Sequence, residues 1–217
     1  MELVLQQCDV LHNESLFKDD FDNNLKGWEI VKNDDENAFI KDGYYWMENT
    51  SKNRWMYYKT KLPLKRKEDF LIDTEIEILT KDTHGHVGLV WGFDKDREIL
   101  NRFTVSADGE RFLVMHFQRN HHRVFHRYHS WELKGNSPNM IRLSIARIAG
   151  YFYFMYNGKT VYTAHASQFA NYGPYFGYYV EPGIMIRSRF IEAKRLITQP
   201  SEAGDSVGRL LSWHPLN

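Results

Sequence analysis

Three carboxylates, Asp73, Glu75 and Glu77, stand two residues apart in the segment Phe70-Leu71-Ile72-Asp73-Thr74-Glu75-Ile76-Glu77-Ile78. Side chains on a strand alternate faces, so these three share one face, with neighbouring Cα atoms about 6.5–7 Å apart. Carboxyl groups about 5–5.5 Å apart can cleave a glycosidic bond through a covalent intermediate. A separation of about 6.5–9.5 Å leaves room for a water and inverts the sugar carbon. Glu75 and Glu77, with Asp73, are therefore the candidate catalytic residues. The simpler use of the same three is a solvated outer strand face, where like charges discourage pairing with another chain.

The stretch from His116 to Trp131 carries five histidines, His116 included, and three arginines, and no acid. Guanidinium forks bind carboxylate, phosphate or sulfate, and aromatic rings stack on sugars. His116, His126, Arg127 and Trp131 are candidate ligand contacts on that basis. The alternative is a polar hairpin whose long side chains lie along its surface. His122 and His126 share a strand face but are about 13 Å apart, too far to share a zinc ion with ligands at about 2.0–2.1 Å. No metal site is expected.

Trp28, Trp46, Trp55, Trp91 and Trp131 could each stack on a pyranose ring or fill a core. Trp91 alternates with Val87 and Leu89, which places it inside. Trp46 and Trp55 flank the loop Asn49-Thr50-Ser51-Lys52-Asn53, which can carry them to a rim, so both are candidate sugar platforms. Asn49-Thr50-Ser51 also fits the N-glycosylation pattern. Asn101 and Arg102 are candidate hydrogen-bonding partners for sugar hydroxyls.

The elements that position these residues are short strands. Phe70 to Ile78 alternates apolar and polar positions, as expected of an antiparallel sheet with one dry and one wet face. Further strands are expected from Trp28, at 44–48, 55–59, 87–93, 101–106, 111–118, 124–131, 140–147, 151–156, 160–164, 176–180 and 185–192. Asn157-Gly158 is the best hairpin signal, since both residues accept positive φ. Residues 167–172 suit a short helical turn. In Gly88-Leu89-Val90-Trp91-Gly92 the two glycines and Val90 share a face, which suits the hollow side of a bent sheet or a close backbone approach. A dozen strands with turns between them predict an all-β sandwich of two antiparallel sheets. The expected divisions are an N-terminal extension over 1–16, the sandwich over 17–197 and a polar tail over 198–217.

Composition narrows the function. Lys plus Arg equals Asp plus Glu, 28 each, which argues against a duplex nucleic-acid partner. No apolar run approaches the roughly 20 residues that span a bilayer, so no membrane partner is expected. Cys8 is the only cysteine, so the fold holds no internal disulfide. The first residues lack a basic region followed by an apolar core. The expected location is the cytoplasm, or outside the cell if a leader is absent from this sequence. No phosphate-binding glycine loop, Gly-x-Ser-x-Gly elbow or His-Glu-x-x-His occurs.

Phe17-Lys18-Asp19-Asp20-Phe21, Gly27-Trp28, Asp42-Gly43-Tyr44-Tyr45 and Asp69 to Ile76 resemble the opening of a concanavalin A-like jelly roll. Gly88 to Gly92, Tyr156-Asn157-Gly158-Lys159 and Tyr175 to Val180 are similar to later parts of the same superfamily. The nearest group is the laminin-G and 3-keto-disaccharide-hydrolase-like domains common in bacterial proteins. The resemblance spans about residues 17 to 196 and describes turns and core. It implies glycan binding on a concave sheet, as in lectins. Glycoside hydrolysis of a polysaccharide or disaccharide, and a non-catalytic assembly role, are the alternatives. Laminarinase-type relatives place their acids on one strand as Glu-x-Asp-x-(x)-Glu, whereas this chain has Asp-x-Glu-x-Glu. Some members carry a structural calcium ion. Many relatives have an Asp-Asn pair before the last strand where this chain has Arg187-Ser188-Arg189-Phe190, which argues against calcium, and no cofactor is required.

Overall fold

The computed structural model describes residues 10–62, 64–65, 67–80, 84–109, 111–119, 121–129, 139–169 and 173–198. The strands among them are β1 (Val10–Asp19), β2 (Val31–Lys32), β3 (Glu36–Lys41), β4 (Tyr44–Asn49), β5 (Met56–Lys61), β6 (Asp69–Ile78), β7 (His86–Asp94), β8 (Ile99–Ser106), β9 (Arg111–Gln118), β10 (His121–His129), β11 (Met140–Ile148), β12 (Tyr151–Tyr156), β13 (Lys159–His165), β14 (Tyr175–Val180) and β15 (Ile184–Thr198). One 3-10 turn covers Ala166–Phe169. Nine strands form a sheet in the order β13-β12-β11-β6-β15-β4-β3-β2, with β1 also pairing β15. The other six form the order β10-β9-β8-β7-β14-β5. Every pairing is antiparallel. This is the two-sheet, jelly-roll sandwich expected from the alternation of side chains.

Most strands fall where the pattern put them, and the departures have local causes. No strand begins at Trp28. Its indole N–H donates to Asp19 at 2.7 Å and its backbone N–H donates to the Asn24 side chain at 2.8 Å. That backbone group is thus spent on a loop contact, and β2 is only Val31–Lys32. The strand β3 was not foreseen, because its single fully buried residue is the small Ala38. β1 runs across the expected boundary at residue 17 and pairs with β15 from Val10 to Asp19. The Asn157-Gly158 hairpin has φ of 48° and 79°, as a two-residue turn of this kind requires.

The inner faces meet in one continuous apolar core. At one end Trp28 packs among Tyr45, Tyr178 and Phe21, with ring centroids 5.2, 5.6 and 5.7 Å away. At the other, Trp91 packs against Phe152, Phe154 and Phe169 at 5.8, 5.4 and 5.5 Å. Truncating such a buried aromatic to alanine costs about 3–5 kcal/mol. Thr74 is the polar member of the dry face of β6. It pairs with Ile191, next to an irregularity in β15 between Ser188 and Phe190. The Thr74 and Ser188 hydroxyls lie 3.1 Å apart and within 3.0 and 2.7 Å of the Tyr178 hydroxyl. Thr74 also donates to the Phe190 carbonyl at 2.6 Å. The group joins the two sheets through the core without leaving a buried hydroxyl unpaired.

Gly88 and Gly177 mark places where neighbouring strands leave no room for a side chain. A Cβ on Gly177 would collide with the Tyr58 carbonyl oxygen, and one on Gly88 with that of Phe103. Both obstacles are backbone, which cannot swing aside. Gly177→Ala is therefore expected to destabilise the fold by about 1–3 kcal/mol, the usual cost of overpacking. Urea unfolding should show a lower midpoint with an unchanged slope.

Candidate functional site

The two sheets turn different surfaces outward. On the nine-stranded sheet Asp73, Glu75 and Glu77 point away from the core, on a strand flanked by β11 and β15. Asp73 is buried. It accepts two hydrogen bonds from Arg142 Nε at 3.0 Å each, a very short one from Arg142 Nη2, and one from the Ser144 hydroxyl at 2.7 Å. Glu77 accepts from Arg187 Nε at 2.6 Å. The Arg187 guanidinium also lies 4.3 Å from the Tyr44 ring and 4.9 Å from the Trp46 ring. Trp46 stacks on Phe39 at 5.8 Å, 5° from parallel. Asp73, Glu77 and Trp46 thus already have partners within the sheet, and Glu75 stands half-buried between the two acids.

Asn101 and His116 face inward. Asn101 is fully buried, donates to the Trp91 carbonyl at 3.2 Å, and has Oδ1 2.7 Å from His116 Nδ1. Burial lowers the His116 pKa, the Gln118 hydrogen bond opposing it and Arg123 adding to it. The backbones of His126 and Arg127 lie on β10 opposite Val114 and Leu113. Their side chains, and the whole of Trp131, lie outside the described residues, as do residues 1–9 and 199–217.

Trp55 and Arg102, separate in sequence, come together on the outer face of the six-stranded sheet. Arg102 starts on β8, reaches across β7, and places its guanidinium carbon 4.4 Å from the Tyr179 ring on β14 and 5.9 Å from the Trp55 ring. Tyr57 lies 5.5 Å from Tyr179 and 6.2 Å from Phe93. The Lys59 ammonium sits 5.1 Å from the Phe93 ring. Val90, Leu100 and Tyr179 are buried beneath these side chains as a second, smaller apolar cluster. The Tyr179 hydroxyl donates to Glu181 Oε1 at 2.8 Å, and the His86 backbone N–H donates to Oε2 at 2.8 Å. Burial pushes the Tyr179 phenol well above its ordinary pKa, so it keeps the proton that it donates.

Trp55 itself is 57 % exposed. It borders an open recess of about 740 Å³ lined also by Asn33, Asp34, Asp35, Glu36 and Asn53. The loop that presents it is fixed from below. Asn49 is fully buried and donates to the carbonyls of Arg54 and Val180 at 2.8 and 2.9 Å, while Ser51 Oγ donates to the Arg54 carbonyl at 2.9 Å. The Asn49-Thr50-Ser51 tripeptide thus locks this loop, and its amide is not presented for glycosylation. Sequence reading missed Tyr57, Phe93, Tyr179 and Glu181. The available signal was Tyr57-Tyr58 and Tyr178-Tyr179, adjacent aromatics that must occupy both faces of a strand.

Arg189 lines a second recess of about 560 Å³ with Asp20, Asp22 and Asp42. Among the described residues no set of three His, Cys, Asp or Glu side chains is grouped to hold a metal. No described helix is long and apolar enough to cross a membrane.

His86 lies beside the aromatic face, its Nδ1 3.4 Å from the Thr104 hydroxyl. Burial lowers its pKa, Arg111 and Arg102 lower it further, and Glu181 and Asp108 oppose them. Because folding disfavours the protonated ring here and at His116, the unfolded chain binds more protons below about pH 6.5. Their contribution to stability is complete above that pH and is lost as the pH falls through the folded-state values. Urea midpoints are expected to drop on acidification below about pH 6.5, and to drop less in His86→Gln.

No family model matches the sequence, nor does any curated protein. Solved structures do. The endo-β-1,3-glucanase from Pyrococcus furiosus superposes with a TM-score of 0.62 at 8 % identity, over 86 % of this chain and 96 % of that one. The CBM2 module of the evolved Dit protein of Lactobacillus casei BL23 phage J-1 gives 0.61 at 10 % identity, over 87 % and 98 %. The carbohydrate-binding module CBM66 from Bacillus subtilis gives 0.57 at 15 % identity, over 79 % and 97 %. At such identities the likeness is one of fold alone, a jelly-roll sandwich of two antiparallel sheets.

Proposed function

We propose that this chain is a carbohydrate-binding module, and that the glycan lies against Trp55 where the outer face of the six-stranded sheet meets the recess beside β3. The observation that carries this reading is Trp55. It is a large flat apolar ring, more than half exposed, on a loop held by buried hydrogen bonds. A pyranose offers such a ring its C–H face and needs polar groups around its edge. Asn33, Asn53 and the nearby carboxylates supply them on one side, and Arg102, with Tyr57, on the other. Sandwiches of this architecture include a carbohydrate-binding module and a glucanase, which adds to the case.

Hydrolysis by Glu75 and Glu77 is the competing use of the fold. Binding is preferred because Glu77 is engaged by Arg187 and Asp73 by Arg142. His126, Arg127 and Trp131 stay ligand candidates on the strength of the sequence, whereas His116 is turned inward against Asn101.

A glycan array followed by calorimetry is expected to find a saccharide ligand, with affinity falling about tenfold or more, roughly 1.4 kcal/mol, in Trp55→Ala and remaining unchanged in Trp46→Ala. Absence of binding to every saccharide would remove the reading. Release of reducing ends that is lost in Glu77→Gln would replace it with the hydrolase.

A further inference from the structure

Arg102 differs from four other arginines on the sheet faces. Arg142 pairs with Asp73, Arg147 with Asp69, Arg187 with Glu77, and Arg195 with Glu14. Arg102 is only 9 % exposed, yet among the described residues it makes no hydrogen bond or ion pair, and its Nε is buried without a partner. Its contacts are the faces of Tyr179 and Trp55. The carboxylate just past the end of β14, Glu181, is already engaged by the Tyr179 hydroxyl and the His86 N–H. A cation removed from water is costly unless an opposite charge meets it, and ring faces repay only part of that cost. A guanidinium held over ring faces is also preorganised for a planar or forked anion.

We infer that the saccharide bound at Trp55 is acidic, and that Arg102 receives its anionic group, a uronate carboxylate or a sulfate. This rests on the glycan-binding reading above and deepens it. The charges around Trp55 are divided. Asp34, Asp35 and Glu36 line the recess on one side, where Arg54 meets only Asp35, at 3.5 Å, and the recess stays net acidic, while Arg102 lies on the side of Tyr179, with Lys59 over Phe93 farther along the same face. An acidic sugar stacked on Trp55 is thereby oriented, with hydroxyls donating to the recess carboxylates and the anion turned toward the guanidinium. The reverse orientation sets like charges together.

The test compares matched pairs of probes in which only the charge differs. These are oligogalacturonate and its methyl ester, and a sulfated oligosaccharide and its desulfated form. Wild-type protein is expected to bind at least one charged member about tenfold or more tighter than its neutral twin, with the difference shrinking as salt rises. In Arg102→Gln that preference should vanish, so that the charged and neutral twins bind with equal affinity. Arg102→Lys, which keeps the charge but loses the fork, should retain part of it, and thermal melting of both variants checks that each is folded. Preference for the carboxylate pair or the sulfate pair identifies the anion. Equal affinity for charged and neutral twins, or a preference that survives in folded Arg102→Gln, overturns the inference while leaving glycan binding intact. Binding of neutral saccharides alone also overturns it. Failure to bind any saccharide overturns both readings together.

Discussion

Two sheets that share a dry face leave their strands no freedom of register. A shift of one residue in β6 would put Asp73, Glu75 and Glu77 into the core and Ile72 and Ile76 into water. The aromatic clusters around Trp28 and Trp91 enforce this from both ends of the sandwich, and the Thr74–Ser188–Tyr178 hydroxyls do so from the middle. Hydroxyl pairing adds direction to a contact that apolar burial alone leaves loose, because each member is satisfied only in one arrangement. Once the inner face is fixed, the outer face is fixed as well. Asp73, Glu75, Glu77 and Arg102 are where they are because their neighbours in sequence are buried.

The outer faces then diverge in how they treat charge. On the nine-stranded sheet acids and bases occur on adjacent strands in register, so that Arg187 stands between Glu77 and Trp46, and Arg142 beside Glu75 and close to Asp73. Such a surface is complete in itself. On the six-stranded sheet glycine occupies positions 88 and 177, between Thr104 and Tyr179 and between Val90 and Lys59. The long side chains beside them cross the strands instead of standing up from them. That is how Arg102 reaches Tyr179 across β7.

The alternation in Phe70 to Ile78, the turn residues and the inward period of Val87, Leu89 and Trp91 made the architecture legible in the sequence, since each depends on neighbours one or two residues away. Trp55 and Arg102 were legible as candidates for the same reason, one beside a polar loop and the other beside an amide. Their meeting was not, because it depends on β8 lying two strands from β14, and strand order is a property of the whole chain. Asn101 illustrates the converse. It reads as a surface amide, but the strand turns it inward, where it holds His116 and the Trp91 carbonyl. Asp19, which the sequence offers only as part of a turn-and-core segment, is the acceptor that seats the Trp28 indole and the Phe21 N–H.

The small apolar cluster of Val90, Leu100 and Tyr179 lies outside the main core, and the sandwich would close without it. Its position beneath Tyr57, Phe93 and Arg102 gives those side chains a firm bed. Glu181 adds to this by holding the Tyr179 ring through its hydroxyl while tying itself to the β7 backbone. Trp55 is held separately, through the carbonyl of Arg54 beside it. A surface with its rings already placed loses little side-chain freedom when a flat ligand arrives, so more of the contact energy remains as affinity. The Arg102 guanidinium, with its Nε buried and unpartnered among the described residues, lowers the stability of the free protein slightly.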